Sequence, residues 1–201
     1  MEVITNVCVY GINETLIASG YPMRTETFDL TGCEYGEKDL RRGEKLSNLA
    51  TSEANGAHEQ FLDGIVVEFD LTLTMKAWVE AERYRFLNFV SSESTMHRIT
   101  KFDIGKQCVD YVDSQTIKLV EGLVKQYNDC ENESQKKELY LRILYNLPAG
   151  FRLTARMVTN YRCLKNIYRQ RRHHRLPEWQ AFCDWVETLP LAKELLLTET
   201  A

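Results

Sequence analysis

Residues 147–185, LPAGFRLTARMVTNYRCLKNIYRQRRHHRLPEWQAFCDW, hold the densest cationic and amide chemistry in the chain. Arg162, Lys165, Arg169, Arg171, Arg172 and Arg175 fall within fourteen residues, with His173 and His174 among them. The chain as a whole is acidic, with a formal net charge of −4. A basic block inside an acidic protein is a local feature, and such blocks face anions. Helical spacing puts Arg162, Asn166, Arg169 and His173 on one face, with Arg171 pointing roughly the opposite way. Guanidinium forks match phosphate oxygens in pairs, so this face suits a phosphate or a nucleotide. A solvated basic helix surface gives the same pattern and stands as the alternative.

The elements that must position this face are legible locally. Residues 151–159 mix β-branched, aromatic and basic residues in loose alternation and predict a strand. Thr159 or Asn160 then caps a helix running to about Arg172, because a side-chain oxygen satisfies a free N–H of the first turn. A second helix opens at Pro177, with Glu178 near its positive end. Trp179, Phe182, Cys183, Trp185 and Val186 give it an apolar stripe. Upstream, the alternation of Ile65, Val67, Phe69, Leu71 and Leu73 predicts the best strand of the chain over residues 64–73. Residues 2–10 alternate as well and predict another strand. Helices are predicted over 75–88, over 103–129 as one long or two shorter pieces, over 132–146 with Asn132 or Ser134 as cap and Pro148 as stop, and over the final LAKELLL. Residues 36–50 are highly charged and predict an exposed helix. Residues 11–20 read as a short connection or helix. The hydroxyl-rich run 89–99 reads as a turn segment, although small polar residues beside arginines also wrap anions.

The 201 residues predict one domain with room for a real core. Hydrophobic residues make up 44% and charged residues 27%, which suits a soluble globular chain. No apolar run reaches the roughly 20 residues that span a bilayer, and the N-terminus carries no signal-peptide pattern. The expected location is the cytoplasm. Six cysteines at long, irregular spacings contain no CxxC pair; free thiols are expected and a zinc site is not. Cys163 and Cys183, inside predicted helices, read as core filler. The acidic total argues against general nucleic-acid binding, and there is no glycine-rich phosphate loop. A lone histidine such as His58 is more often structural than catalytic.

Three blocks in order resemble the flavin-dependent thymidylate synthases. The first is His58-Glu59 ahead of Ile65-Val66 and the strand through Phe69. The second is Arg83-Tyr84-Arg85 followed by Ser92-Glu93-Ser94-Thr95, where the family has Arg-His-Arg, a serine, Asn-Glu, a serine and Arg-Tyr. The third is Leu147-Pro148, then Asn160-x-Arg162, Asn166 and Arg171. Together the blocks cover about residues 56–180, and the third has four polar positions in register.

The resemblance implies an α+β fold, an antiparallel sheet flanked by helices, assembled as a homotetramer with sites between subunits. It implies FAD as cofactor, with NADPH and methylene-tetrahydrofolate as co-substrates for methylation of dUMP or a related pyrimidine nucleotide. By carry-over, Arg83, Arg85, Glu93 and Thr95 form the catalytic group. His58, Asn160, Arg162 and Asn166 hold the flavin nucleotide, with Arg83, Arg85 and Glu93 also in contact. Ser94, Thr95, His97 and Arg171 hold the nucleotide phosphate. The chain departs from the pattern at Tyr84 for the central histidine, Ser92 for asparagine and His97-Arg98 for Arg-Tyr. Leu144 stands where an arginine precedes Leu-Pro, and Glu80 replaces a glutamine that helps hold the nucleotide. A carboxylate at Glu80 repels phosphate unless it is paired or protonated. These substitutions motivate a second reading, a non-catalytic protein of phage type that sequesters a nucleotide signal on the same scaffold. A third reading, RNA or protein binding by the basic helix, leaves His58 and Glu93 without a role.

Overall fold

A computed structural model describes residues 2–23, 25, 50 and 57–197. Among the described residues, four antiparallel strands form one sheet: β1 (Ile4–Tyr10), β2 (Val66–Thr74), β3 (Asn88–Ser92) and β4 (Arg152–Asn160), in the order β1-β2-β4-β3. The fold is therefore α+β with an antiparallel sheet flanked by helices, as the resemblance implied. The two central strands pair without interruption from Val66↔Asn160 to Thr74↔Arg152. Ile65, Val67, Phe69, Leu71 and Leu73 are all fully buried, so the alternating residues do form one face. The opposite face is polar: Arg156 bridges Glu68 at 3.1 Å and Asp70 at 3.3 Å.

Helices pack on the apolar face and beside it. They are α1 (Ile12–Ala18), α2 (Met75–Ala81), α3 (Thr95–Arg98), α4 (Ile104–Gln107), α5 (Ser114–Asp129), α6 (Glu133–Tyr145), α7 (Tyr161–Arg171), α8 (Pro177–Val186) and α9 (Ala192–Leu195). One apolar cluster joins β2 and β4 to α2, α7, α8 and α9 through Phe69, Met157, Leu164, Ile167, Trp179 and Phe182. A second lies beside it, where Ile99, Ile104, Val120, Leu123, Ile143 and Phe151 pack α4, α5 and α6 together.

Local chemistry explains the helix starts. Asn160 Oδ1 accepts from Cys163 N at 2.8 Å and caps α7. Asn132 Oδ1 accepts from Ser134 N and Gln135 N and caps α6, and Pro177 occupies the first turn of α8. The region 103–129 resolves into two helices because Asp103 and Asp113 each cap a new one. A 3-10 helix, Ala57–Gly64, leads into β2. It closes against α1 at Gly11, whose φ of 77° and whose backbone, 2.6 Å from Gly64 O at the place of a Cβ, suit glycine alone.

Two expectations fail. The helix from Met75 stops at Ala81 instead of continuing to Asn88. Turns follow, with Tyr84 N bonding Ala81 O and Leu87 N bonding Tyr84 O, both at 3.0 Å. The segment 89–99 is not a turn region but β3 followed by α3. Ladder hydrogen bonds to β4, with Phe89 opposite Met157, override a composition that reads as turn-like. An edge strand exposed on both faces has no apolar alternation to reveal it. Most of the predicted helix over 36–50 lies outside the described residues.

The 3-10 helix is fastened to α7 by a buried ion pair between Glu59 and Lys165, whose side chains are 3% and 2% exposed. Lys165 also donates to Ala50 O. Burial lowers the Lys165 pKa, and Glu59 offsets part of that effect. Glu59→Gln leaves the buried ammonium without its carboxylate, and we expect it to cost about 3–5 kcal/mol. Urea unfolding measures this. The double variant Glu59→Leu/Lys165→Met is expected to recover most of the loss, and equal losses in both would contradict the pairing.

Candidate functional site

Arg162, Asn166 and Arg169 of the basic face predicted from sequence lie on α7, His173 falls in the turn after it, and β4 runs into that helix without a loop. Asn166, Arg169 and His173 are exposed and Arg162 is partly buried. Arg162 bonds Asp63 of the 3-10 helix at 3.2 Å. The turn between α2 and β3 lies alongside α7. It carries Arg83 and Arg85, both exposed and without an ion pair among the described residues. Arg85 stands 5.5 Å from the centroid of the adjacent Phe86 ring. Arg83, Arg85, Arg162 and Asn166 thus come from two neighbouring elements.

A chain of hydrogen bonds connects them. Arg171 Nε donates to Tyr84 Oη at 2.8 Å, Tyr84 Oη donates to Gln170 Oε1 at 3.0 Å, and Gln170 Nε2 donates to Asn166 Oδ1 at 3.1 Å. Tyr84, which stands where the resemblance has a histidine, is therefore the post that fixes the turn to the helix. It is 8% exposed, and burial pushes its phenol pKa up while Arg171 pulls it down.

Arg171 faces away from Arg162, as expected, and is engaged internally. Its guanidinium meets Glu80 at 2.8 Å and lies 4.8 Å from the Trp179 ring centroid. Glu80 collects Lys76 at 2.7 Å, His174 at 3.2 Å and the Trp179 indole N–H at 3.1 Å as well. Burial raises the Glu80 pKa, but Lys76, His174 and Arg171 together outweigh it and hold the carboxyl below its ordinary range. The carboxylate that sequence flagged as repelling phosphate is thus paired, and its charge is spent on Arg171.

The remaining residues lie elsewhere. His58 is exposed and borders a cavity of about 400 Å³ against α1, with Thr15, Ser19 and Phe61. Asn160 uses its side-chain oxygen as the α7 cap. Glu93 Oε2 accepts from Thr154 N at 2.7 Å, at the far end of the β3–β4 ladder. Ser94 precedes α3, and Thr95 and His97 lie on it, where Thr95 O and Met96 O accept from Tyr140 Oη. From Asn160 to Thr154 the strand covers six residues, about 20 Å. One chain therefore holds two separate groups, the arginine turn with α7 and the Glu93–His97 segment. Sequence reasoning gave no role to Glu59, Lys165 or Gln170. A lysine set among Tyr161, Leu164 and Tyr168 was the available signal for the first pair. Burial holds Cys163 above the ordinary thiol range and takes Cys183 up to about 11, so neither is a thiolate near neutral pH.

No protein-family model matches the sequence, and no curated protein matches it. Solved structures do match the fold. Flavin-dependent thymidylate synthase ThyX from Helicobacter pylori, complexed with FAD and dUMP, superposes with a TM-score of 0.68 over 98% of this chain and 98% of that one, at 17% identity. A second structure of Helicobacter pylori ThyX with FAD and dUMP gives 0.65 over 96% and 98%, also at 17% identity. The fold is of the flavin-dependent thymidylate synthase kind. Among the described residues no helix is long and apolar enough to cross a membrane.

The Glu80 cluster sets a pH dependence. A carboxyl with a lowered folded-state pKa stabilises fully above its unfolded value, here 4.5, and loses that contribution as pH falls through the folded value. Stability is expected to fall below about pH 4.5 by a component that Glu80→Gln removes, read from urea midpoints at several pH values. Tyr84→Phe removes two hydrogen bonds at one buried oxygen and is expected to cost about 1–3 kcal/mol at neutral pH.

Proposed function

We propose that this chain is a divergent flavin-dependent thymidylate synthase-like protein, which binds FAD and methylates dUMP or a related pyrimidine nucleotide with methylene-tetrahydrofolate and NADPH. The observation that carries this reading is the tethering of the Arg83–Arg85 turn to the Arg162–Asn166 face through Tyr84 and Gln170. Exposed guanidinium groups beside an amide are the donor set that a dinucleotide's phosphates and polar edges require. FAD, when bound, supplies the redox chemistry. Arg83, Arg85 and Arg162 hold its phosphates, Asn166 orients it, and Asp63 fixes the Arg162 fork from behind. Glu93, Ser94, Thr95 and His97 serve the pyrimidine nucleotide.

The distance between these two groups in one chain supports completion of each site by a second copy, in a homotetramer as the resemblance implied. β3 is an edge strand whose five residues are all exposed, Phe89 at 46% and Val90 at 62% among them. An exposed apolar edge is a ready surface for another chain. A cytoplasmic location and the absence of membrane or nucleic-acid partners belong to the same reading.

One observation favours the second reading, a nucleotide-sequestering protein without turnover, of phage type. Arg171, the cation assigned to the substrate phosphate, is held by Glu80 and Tyr84 and stacked on Trp179. A cation neutralised in this way offers less to a phosphate than a free one.

The test is the visible spectrum of the purified protein with FAD, then with NADPH under anaerobic conditions. A bound-flavin spectrum that bleaches is expected. Arg162→Ala and Asn166→Ala are each expected to weaken FAD binding about 10- to 100-fold, the loss of one charge-assisted or polar contact. A protein that ignores FAD ends the enzyme reading. A retained nucleotide without flavin reduction, identified by mass spectrometry of the extracted ligand, selects the second.

A further inference from the structure

A cavity of about 500 Å³ opens between α3 and the α5–α6 hairpin, one helical turn from Ser94 and Thr95. Its walls carry His97 on one side and Tyr127, Glu133, Lys136, Lys137 and Tyr140 on the other. Its size falls within the range of about 300–1,000 Å³ typical of small-ligand sites. The two walls are braced together, because Tyr140 Oη donates to Met96 O at 2.7 Å. The tyrosine rings lie 5.4 Å apart at 54°, and Lys136 Nζ stands 5.5 Å from the Tyr127 ring centroid. Neither lysine forms an ion pair among the described residues.

We infer that this cavity is a second nucleotide subsite, which takes an aromatic base against Tyr127 and Tyr140 and a phosphate at Lys136, Lys137 and His97. Three features select that chemistry. Adjacent unpaired lysines attract an anion. Aromatic walls offer a base a π-face to stack on. Glu133 opposes a bare polyanion but accepts hydrogen bonds from an amino group or ribose hydroxyl, which a nucleotide has and inorganic phosphate lacks. The same chemistry comes from a separate nucleotide or from the second unit of a linked dinucleotide whose first phosphate sits at Ser94 and Thr95. The latter source rests on the nucleotide-binding reading above, whereas the former does not.

Calorimetric titration of the full chain with AMP, with the 5′-phosphorylated dinucleotide pApA and with inorganic phosphate tests this. Lys136→Ala/Lys137→Ala is expected to weaken AMP binding at least about tenfold, the loss of a charge-assisted contact. Lys125→Ala, an exposed change on α5 outside the cavity, is expected to leave AMP binding intact. Undiminished AMP binding in the double variant, an equal loss in Lys125→Ala, or phosphate binding as tight as AMP would overturn the inference. A dinucleotide that bridges both places loses affinity in Thr95→Ala while AMP does not; two equal responses identify a separate nucleotide. FAD binding by the double variant is expected to match the parent. If no form binds FAD while AMP still depends on the two lysines, the flavin reading fails and the subsite stands.

Discussion

The pairing of β2 with β4 is the constraint on which everything else rests. Nine consecutive residue pairs, from Val66↔Asn160 to Thr74↔Arg152, leave no freedom of register. A slip by one residue would turn Phe69 and Leu71 to the polar face and bring Glu68 and Asp70 into the core. Because β4 passes into α7 at Asn160, the register also sets where Arg162 and Asn166 begin their helical turn. On the other side, β2 passes into α2 at Thr74, whose hydroxyl caps that helix by accepting from Ala77 N at 3.2 Å. The ladder thus places Glu80 and Arg171, one on each of the two helices it launches, within reach of each other.

The charge distribution follows from that geometry. The basic block is not one surface. Arg171 and His174 turn inward to Glu80. Arg172 turns to Asp184 on α8 and to Glu187 just past its end, and Lys165 turns to the buried Glu59. Asn166, Arg169, His173 and Arg175 are exposed, and Arg162 is partly buried with Asp63 restraining it. Part of the basic block is therefore structural cement between α7 and its neighbours.

β3 divides the candidate site. It lies against β4 with Asn88 opposite Val158 and Ser92 opposite Ala155. The arginine turn therefore sits at the α7 end of the ladder and Glu93 at the opposite end. Glu93 closes the edge by accepting from the Thr154 amide while its own amide bonds Thr154 O. The polar run that follows has its carbonyls braced by Tyr140 from a different helix hairpin. The motif is continuous in sequence but not in space, and an extended strand between its parts is the reason.

Local and periodic signals were enough for much of the fold. Alternation at Ile65–Leu73 reported β2, since a strand buried on one face must alternate. Asn160, Asn132 and Pro177 reported three helix starts, because capping is a matter of a few adjacent atoms. The helical spacing of Arg162 and Asn166 put them on one face without knowledge of any partner. Nothing local distinguished β3 from a turn, because its identity lies in hydrogen bonds to β4, more than sixty residues away. Nor could spacing say that Glu80 would be paired, that Tyr84 would link Arg171 to Gln170, or that Lys165 would be buried. The sequence by itself determined which residues could cap, alternate and carry charge. Tertiary structure decided which charges cancel and which stay exposed, because ion pairing depends on distances of about 3–4 Å between segments that only the folded chain brings together.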